Sequence, residues 1–143
     1  MMALTSESTT LWIGDLTSGS GTISLDSSEA AEFPVTWAGR TEGEAGRTNP
    51  EELIAAAHAS CFSMQFSSLL AKAGTPPTSL QVTAAVTFDP AQGGILGSHL
   101  LVSADVHGIR DEDFQNLANE AKETCPVSRA LAGVTITLEA SLA

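Results

Sequence analysis

Three stretches of the chain alternate apolar and polar residues as half-buried strands do. Leu80, Val82, Ala84, Val86 and Phe88 form the first, and Leu100, Val102, Ala104 and Val106 the second. Val134, Ile136, Leu138, Ala140 and Leu142 form the third and cleanest. Earlier, Leu11-Trp12-Ile13 is a short apolar run, Thr22-Ile23-Ser24-Leu25 alternates, and Phe33 to Trp37 reads as a further strand. Ser18-Gly19-Ser20-Gly21 marks a turn between the first two of these. Clean alternation predicts antiparallel pairing with one wet face.

Two helices break this pattern. At Thr48-Asn49-Pro50-Glu51-Glu52, Asn49 is suited to cap and Pro50 to open a helix, and the acids favour its first turn. Glu52 also has capping-box spacing from Asn49. This helix is expected to reach about Ala73 and stop at Gly74 in the left-handed region. Leu53, Ile54, Ala57, Cys61, Met64, Phe66, Leu69 and Leu70 cover most of its circumference. That predicts a central helix buried nearly all round and shared with a second subunit. A second helix, about Asp111 to Thr124, has Asp111 as cap and Phe114, Leu117 and Ala121 inward, and Pro126 ends or restarts it. Residues 39–47 read as a mobile, glycine-rich surface loop. The fold class is α+β: one domain, residues 1–143, with an antiparallel sheet of about six strands packed on a long central helix and a second helix.

Composition narrows the function. The chain has 143 residues, 43% apolar, which suffices for one packed core. Its net charge is −11 with only six Lys and Arg, too few and too scattered for a nucleic-acid face, and anionic membranes are disfavoured likewise. The first ten residues lack the basic and apolar regions of a secretory leader. No stretch approaches the roughly 20 apolar residues of a membrane span. A cytoplasmic location with no membrane partner is therefore expected. There, cysteine pairs are more often catalytic or metal-binding than structural.

The chain has two cysteines, neither in a C-x-x-C. Cys61 sits inside an apolar helical run, where an unperturbed thiol of pKa ~8.5 is only about 3% ionised at neutral pH and burial lowers that further. It is reactive only if a cation reaches it, and Arg40 and Arg47 in the preceding loop are the natural candidates. Cys125, before Pro126, is placed to cap a short helix through Leu131, so local physics alone makes it the more acidic thiol. Glu51 or Glu52 is a capping acid or the residue that holds an arginine in place. Glu51 and Cys61 are ten residues apart, roughly 15 Å on a straight helix, and cannot touch directly. Either residue 51 lies in a non-helical turn or a long arginine bridges part of the gap. His58, one turn before Cys61, reads as a packed or hydrogen-bonded histidine sooner than a base. A zinc site lacks its usual ligand spacing.

Two segments carry a family resemblance. Arg40-Thr41-Glu42-Gly43-Glu44 followed by Thr48-Asn49-Pro50-Glu51-Glu52-Leu53-Ile54-Ala55-Ala56-Ala57-His58-Ala59-Ser60-Cys61-Phe62-Ser63-Met64 closely resembles the OsmC/Ohr family of thiol-dependent peroxidases, and Cys125-Pro126-Val127-Ser128 resembles its second motif. The histidine ahead of Cys61 is more similar to the OsmC branch. The resemblance implies Cys61 as peroxidatic cysteine, Cys125 as resolving cysteine, Glu51 as the family glutamate and Arg40 as its arginine, with Arg47 the alternative. It implies an intertwined homodimer with sites at the subunit interface and neither metal nor flavin cofactor. It also implies a hydroperoxide substrate, organic and also hydrogen peroxide, and a dithiol reductant of lipoyl or small-thiol type, in oxidative or osmotic stress defence. Phe62, Met64, Phe66 and Leu69 would supply an apolar setting for organic hydroperoxides. The rival readings are a thiol–disulfide redox regulator and a non-catalytic dimeric binding protein on the same fold.

Overall fold

The structure is a computed structural model that describes all residues, Met1–Ala143. The chain runs β1 (Ser8–Ile13), β2 (Ser20–Leu25), β3 (Glu32–Val35), α1 (Trp37–Thr41), α2 (Pro50–Lys72), β4 (Ser79–Asp89), β5 (Gly94–Asp105), α3 (Asp111–Thr124), α4 (Pro126–Ala130) and β6 (Thr135–Leu142), with a single 3-10 turn at Pro90–Gln92. It divides into two compact units, Met1–Pro50 and Glu51–Ala143. The class is α+β with six strands, as the alternation predicts. The strands form two sheets of three, ordered β1-β2-β3 and β4-β5-β6.

In the first unit, β2 pairs antiparallel with both neighbours, aligning Thr10, Ile23 and Phe33 across the sheet. Ile23 and Val35 are its buried side chains. The segment expected to be a mobile loop is in part helical. Thr36 caps α1, its Oγ1 accepting from the Gly39 N–H at 3.0 Å, so Arg40 stands in the last turn of a short helix. A Thr N-cap satisfies a donor the helix leaves open, which is why the helix starts there.

In the second unit, β4 and β5 pair antiparallel while β5 and β6 pair parallel. This corrects the all-antiparallel expectation. Alternation reports one wet face and is blind to strand direction; the crossover through α3 and α4 brings the chain back in the same sense as β5. Gly97 makes the close approach possible, because a Cβ there would meet the Thr135 carbonyl oxygen at 2.6 Å.

One face of this sheet holds the core. Phe62, Phe66 and Leu70 from α2, Leu100, Val102 and Ala104 from β5, Phe114, Ala118 and Ala121 from α3, and Cys125 form one buried cluster. Phe66 stacks tilted between Phe62 and Phe114, at centroid distances of 5.5 and 5.4 Å. The α2 spacing 58, 62, 66, 70 is a single i,i+4 stripe. The helix is therefore not buried nearly all round: Ala56, Ala57, Ser60, Met64 and Ala71 are exposed, Met64 at 73%. It ends as expected, with Thr75 N–H donating to the Leu70 carbonyl, Gly74 N–H to that of Ala71, and Gly74 at φ +84°. By length and composition α2 is apolar enough to cross a membrane, with mean hydropathy 1.3 over 18 residues. A helix that supplies a core stripe passes that measure too, and here Phe62, Phe66 and Leu70 of α2 are fully buried in the core. α3 begins at Asp111, with Arg110 rather than Asp111 in the cap position. Pro126 restarts a helix, α4.

Candidate active site

The two cysteines come together in the second unit. Cys61 lies in the middle of α2, and Cys125 at the junction of α3 and α4. The junction bends because Pro126 has no N–H to continue α3; Cys125 N–H still donates to the Ala121 carbonyl at 2.9 Å, with φ −57° and ψ 124°. Cys61 packs against the buried cluster that contains Cys125, and the Cys125 side chain and the Val127 backbone N–H both act on its thiol. Both cysteines are free thiols. Their exposure differs: Cys61 is partly exposed, whereas Cys125 is fully buried.

This geometry holds Cys61 protonated. Burial pushes its pKa above the ordinary value, the neighbouring Cys125 side chain adds to the rise, and the Val127 N–H opposes it. The direction agrees with the sequence reading that Cys61 needs a cation to react. Cys125 occupies the N-cap position of α4, but its side chain makes no capping hydrogen bond.

Glu51 and Glu52 are now distinguishable. Both are engaged, but Glu51 is 5% exposed while Glu52 is an exposed residue. Glu51 lies within α2, so the non-helical turn is excluded, and the ten residues to Cys61 are a straight helical run. Arg40 and Arg47 belong to the first unit. Arg47 pairs with Glu44 at 3.0 Å. Arg40 is the sole charged residue lining an apolar cavity of about 400 Å³, whose walls include Trp12, Leu16, Ile23, Val35 and Trp37. Phe62 and Phe66 are fully inside the core, so they cannot face a substrate as expected; Leu69 packs against that core too. Their i,i+4 spacing put them on the buried stripe.

Sequence reasoning missed Ser98 and Ser128. His58 is fully buried, with Nδ1 2.6 Å from Ser98 Oγ on β5 and Nε2 2.8 Å from Ser128 Oγ on α4. Burial lowers its pKa, so the ring is neutral near pH 7. One ring nitrogen then donates and the other accepts. Ser128 stood in the Cys125 motif, and only the fold reveals its histidine partner. No group of three or more His, Cys, Asp or Glu is placed to hold a metal ion.

The family model described as "OsmC-like protein" matches residues 43–139. Peroxiredoxin OsmC of Escherichia coli (strain K12) and that of Shigella flexneri are each 43% identical over 122 residues, covering 84% of this chain and 85% of the relative. The organic hydroperoxide resistance protein OhrB of Bacillus subtilis is 25% identical with TM-score 0.66, covering 98% of both chains. An organic hydroperoxide resistance protein from Elizabethkingia anophelis is 26% identical with TM-score 0.71, covering 99% of this chain and 97% of the other. The α+β fold is thus shared with these structures. The chain belongs to the OsmC-like family.

Proposed function

We propose that this chain is a thiol-dependent peroxidase that reduces organic hydroperoxides, and hydrogen peroxide, in defence against oxidative or osmotic stress. One observation carries the reading: two free thiols packed together with unequal access, one partly exposed and one fully buried. A small peroxide can reach Cys61. Only Cys61 is placed to reach Cys125. The relatives named for peroxiredoxin activity and for organic hydroperoxide resistance support the same assignment.

The Cys61 thiolate attacks one peroxide oxygen, and the O–O bond breaks. The departing alkoxide takes a proton and leaves as alcohol, with Cys61 as sulfenic acid. The Cys125 sulfur then attacks the Cys61 sulfur; the S–S bond forms as the S–OH bond breaks, and hydroxide leaves with the Cys125 proton as water. A dithiol of lipoyl or small-thiol type restores both thiols by two exchanges and is itself oxidised.

Arg40 supplies the cation that Cys61 lacks, and Glu51 orients it. Its place in an apolar cavity favours it over Arg47. That cavity suits the carbon chain of an organic hydroperoxide. The length of helix between Glu51 and Cys61, and the exposed Ala, Ser and Met face of α2, support a homodimer in which residues of one copy serve the Cys61 of another. Residues 1–143 act as one domain, and free thiols recycled by a dithiol fit the reducing cytoplasm.

Turnover of cumene hydroperoxide with a dithiol, monitored by alcohol release, tests the reading. Reduced protein consumes the peroxide catalytically, and Cys61→Ser does not. Wild-type protein without turnover, forming only a slow disulfide, would favour a redox regulator instead.

A further inference from the structure

His58 is a buried titratable group that the peroxidase chemistry does not use, and its surroundings give it a definite task. It lies one turn before Cys61 on α2, on nearly the same face. It is fully buried, and both ring nitrogens are taken by hydroxyls from two other elements: Ser98 of β5 at 2.6 Å and Ser128 of α4 at 2.8 Å. Ser98 and Ser128 are themselves buried, at 2% and 5% exposure. A core filler at this place needs no polar atoms. Burying an imidazole and two hydroxyls costs free energy unless each is bonded, and here each is.

The bridge ends where the second thiol begins. Ser128 is three residues after Cys125 in a helix of only five residues, Pro126–Ala130. This short element meets α2 at two points. At one, Cys61 and Val127 pack together on the cluster that contains Cys125. At the other, Ser128 bonds to His58, which the sheet anchors through Ser98. A disulfide demands about 2.05 Å between sulfurs and a narrow dihedral range. A five-residue helix tied only at its ends is too free to hold that geometry, and a 1 Å misplacement of reacting groups costs about a hundredfold in rate.

We infer that His58 is a positioning residue for disulfide closure: with Ser98 and Ser128 it forms a strut that fixes the Cys125–Ser128 turn against Cys61. The inference rests on the Cys61–Cys125 reading proposed above and goes beyond it. The strut acts on the second step, in which Cys125 attacks the Cys61 sulfenic acid and water is lost, and touches neither sulfur.

The test is a competition for the sulfenic acid. Fully reduced protein receives one equivalent of cumene hydroperoxide in excess dimedone, which captures Cys61 sulfenic acid as a thioether. Intact-mass spectrometry reads the ratio of adduct to disulfide, a quantity independent of how fast the sulfenic acid forms. Wild type gives mainly disulfide. His58→Leu and Ser128→Ala each raise the ratio by about tenfold to a hundredfold, the double variant is no worse than the stronger single one, and His58→Gln, whose amide both donates and accepts, recovers part of the loss. Circular dichroism and thermal melts establish that each variant is folded; should His58→Leu not fold, Ser128→Ala, which removes a single oxygen, carries the test. A wild-type ratio in Ser128→Ala overturns the inference, even where His58→Leu is impaired, because the route through Ser128 is the claim. Adduct without any disulfide in wild type would overturn the Cys61–Cys125 reading itself, and the strut with it.

Discussion

The Cys61 thiol lies beside the Cys125 side chain, bringing the middle of α2 to the junction of α3 and α4. Two elements separated by the whole β4–β5 hairpin and α3 thus meet at these two cysteines. Burial keeps the resting thiol protonated, the Cys125 contact adds to this, and the cysteine proposed to resolve it stands beside it.

Because burial and the Cys125 contact both raise the Cys61 pKa, the peroxidase depends on its activating cation most at neutral pH. Arg40→Ala lowers kcat/KM for an organic hydroperoxide at pH 7 by about one to two orders of magnitude, the factor that one to two units of thiol pKa represent. The deficit shrinks as pH rises toward the thiol's own pKa. Arg47→Ala, which removes a largely exposed pair with Glu44, changes stability by less than about 0.5 kcal/mol and leaves the pH profile in place. Stopped-flow rates between pH 6 and 10 distinguish the two arginines.

Removing the resolving sulfur separates the half-reactions. Cys125→Ser still reduces one equivalent of peroxide, and its sulfenic acid then persists to be trapped or over-oxidised. Steady-state turnover with a dithiol falls at least about tenfold, since the held partner is replaced by a diffusing one. Turnover assays combined with sulfenic-acid labelling check both halves.

The core makes a prediction about stability. Phe66 is fully buried between Phe62 and Phe114. Phe66→Ala costs about 3–5 kcal/mol, readable in urea unfolding, while Met64→Ala, at an exposed position, costs well under about 1 kcal/mol in the isolated chain. A larger penalty at Met64 that depends on protein concentration would locate it in a subunit interface.

His58 gives acid sensitivity with a definite sign. Its pKa is lowered in the folded state from an ordinary value of 6.5. Above that value both states are neutral there, and the histidine adds no pH dependence. As pH falls below about 6.5 the unfolded chain takes up a proton that the folded chain refuses, so stability is lost toward the depressed folded pKa. The difference in unfolding free energy between wild type and His58→Gln therefore narrows from pH 7 to pH 5, measured by urea titration at each pH.

Much of this was legible in the residues. Pro50 and Gly74 marked the ends of α2 to within a residue or two, because cap chemistry is local. The alternations at 80–88, 100–106 and 134–142 located three strands, since burial on one face imposes period two. What escaped was relational. The parallel pairing of β5 with β6 depends on the crossover, and alternation carries no direction. The exposed side of α2 was hidden by alanine and serine, which fit a buried or a wet helix equally. Cys61, Cys125, Glu51 and Arg40 stood out through motif resemblance, and the fold adds that Glu51 is buried and Glu52 is not. The partnership of His58 with Ser98 and Ser128 joins residues 40 and 70 positions apart, a spacing no local pattern contains.

The central claim is that Cys61 and Cys125 are one redox pair. Treating fully reduced protein with a single equivalent of organic hydroperoxide, then digesting and analysing it by mass spectrometry, addresses this most directly. The account predicts a loss of about 2 Da from the intact chain and one cross-linked peptide pair joining Cys61 to Cys125. Oxidation that stops at Cys61 without the link, or a disulfide joining Cys61 to a cysteine of another copy in place of Cys125, would contradict it.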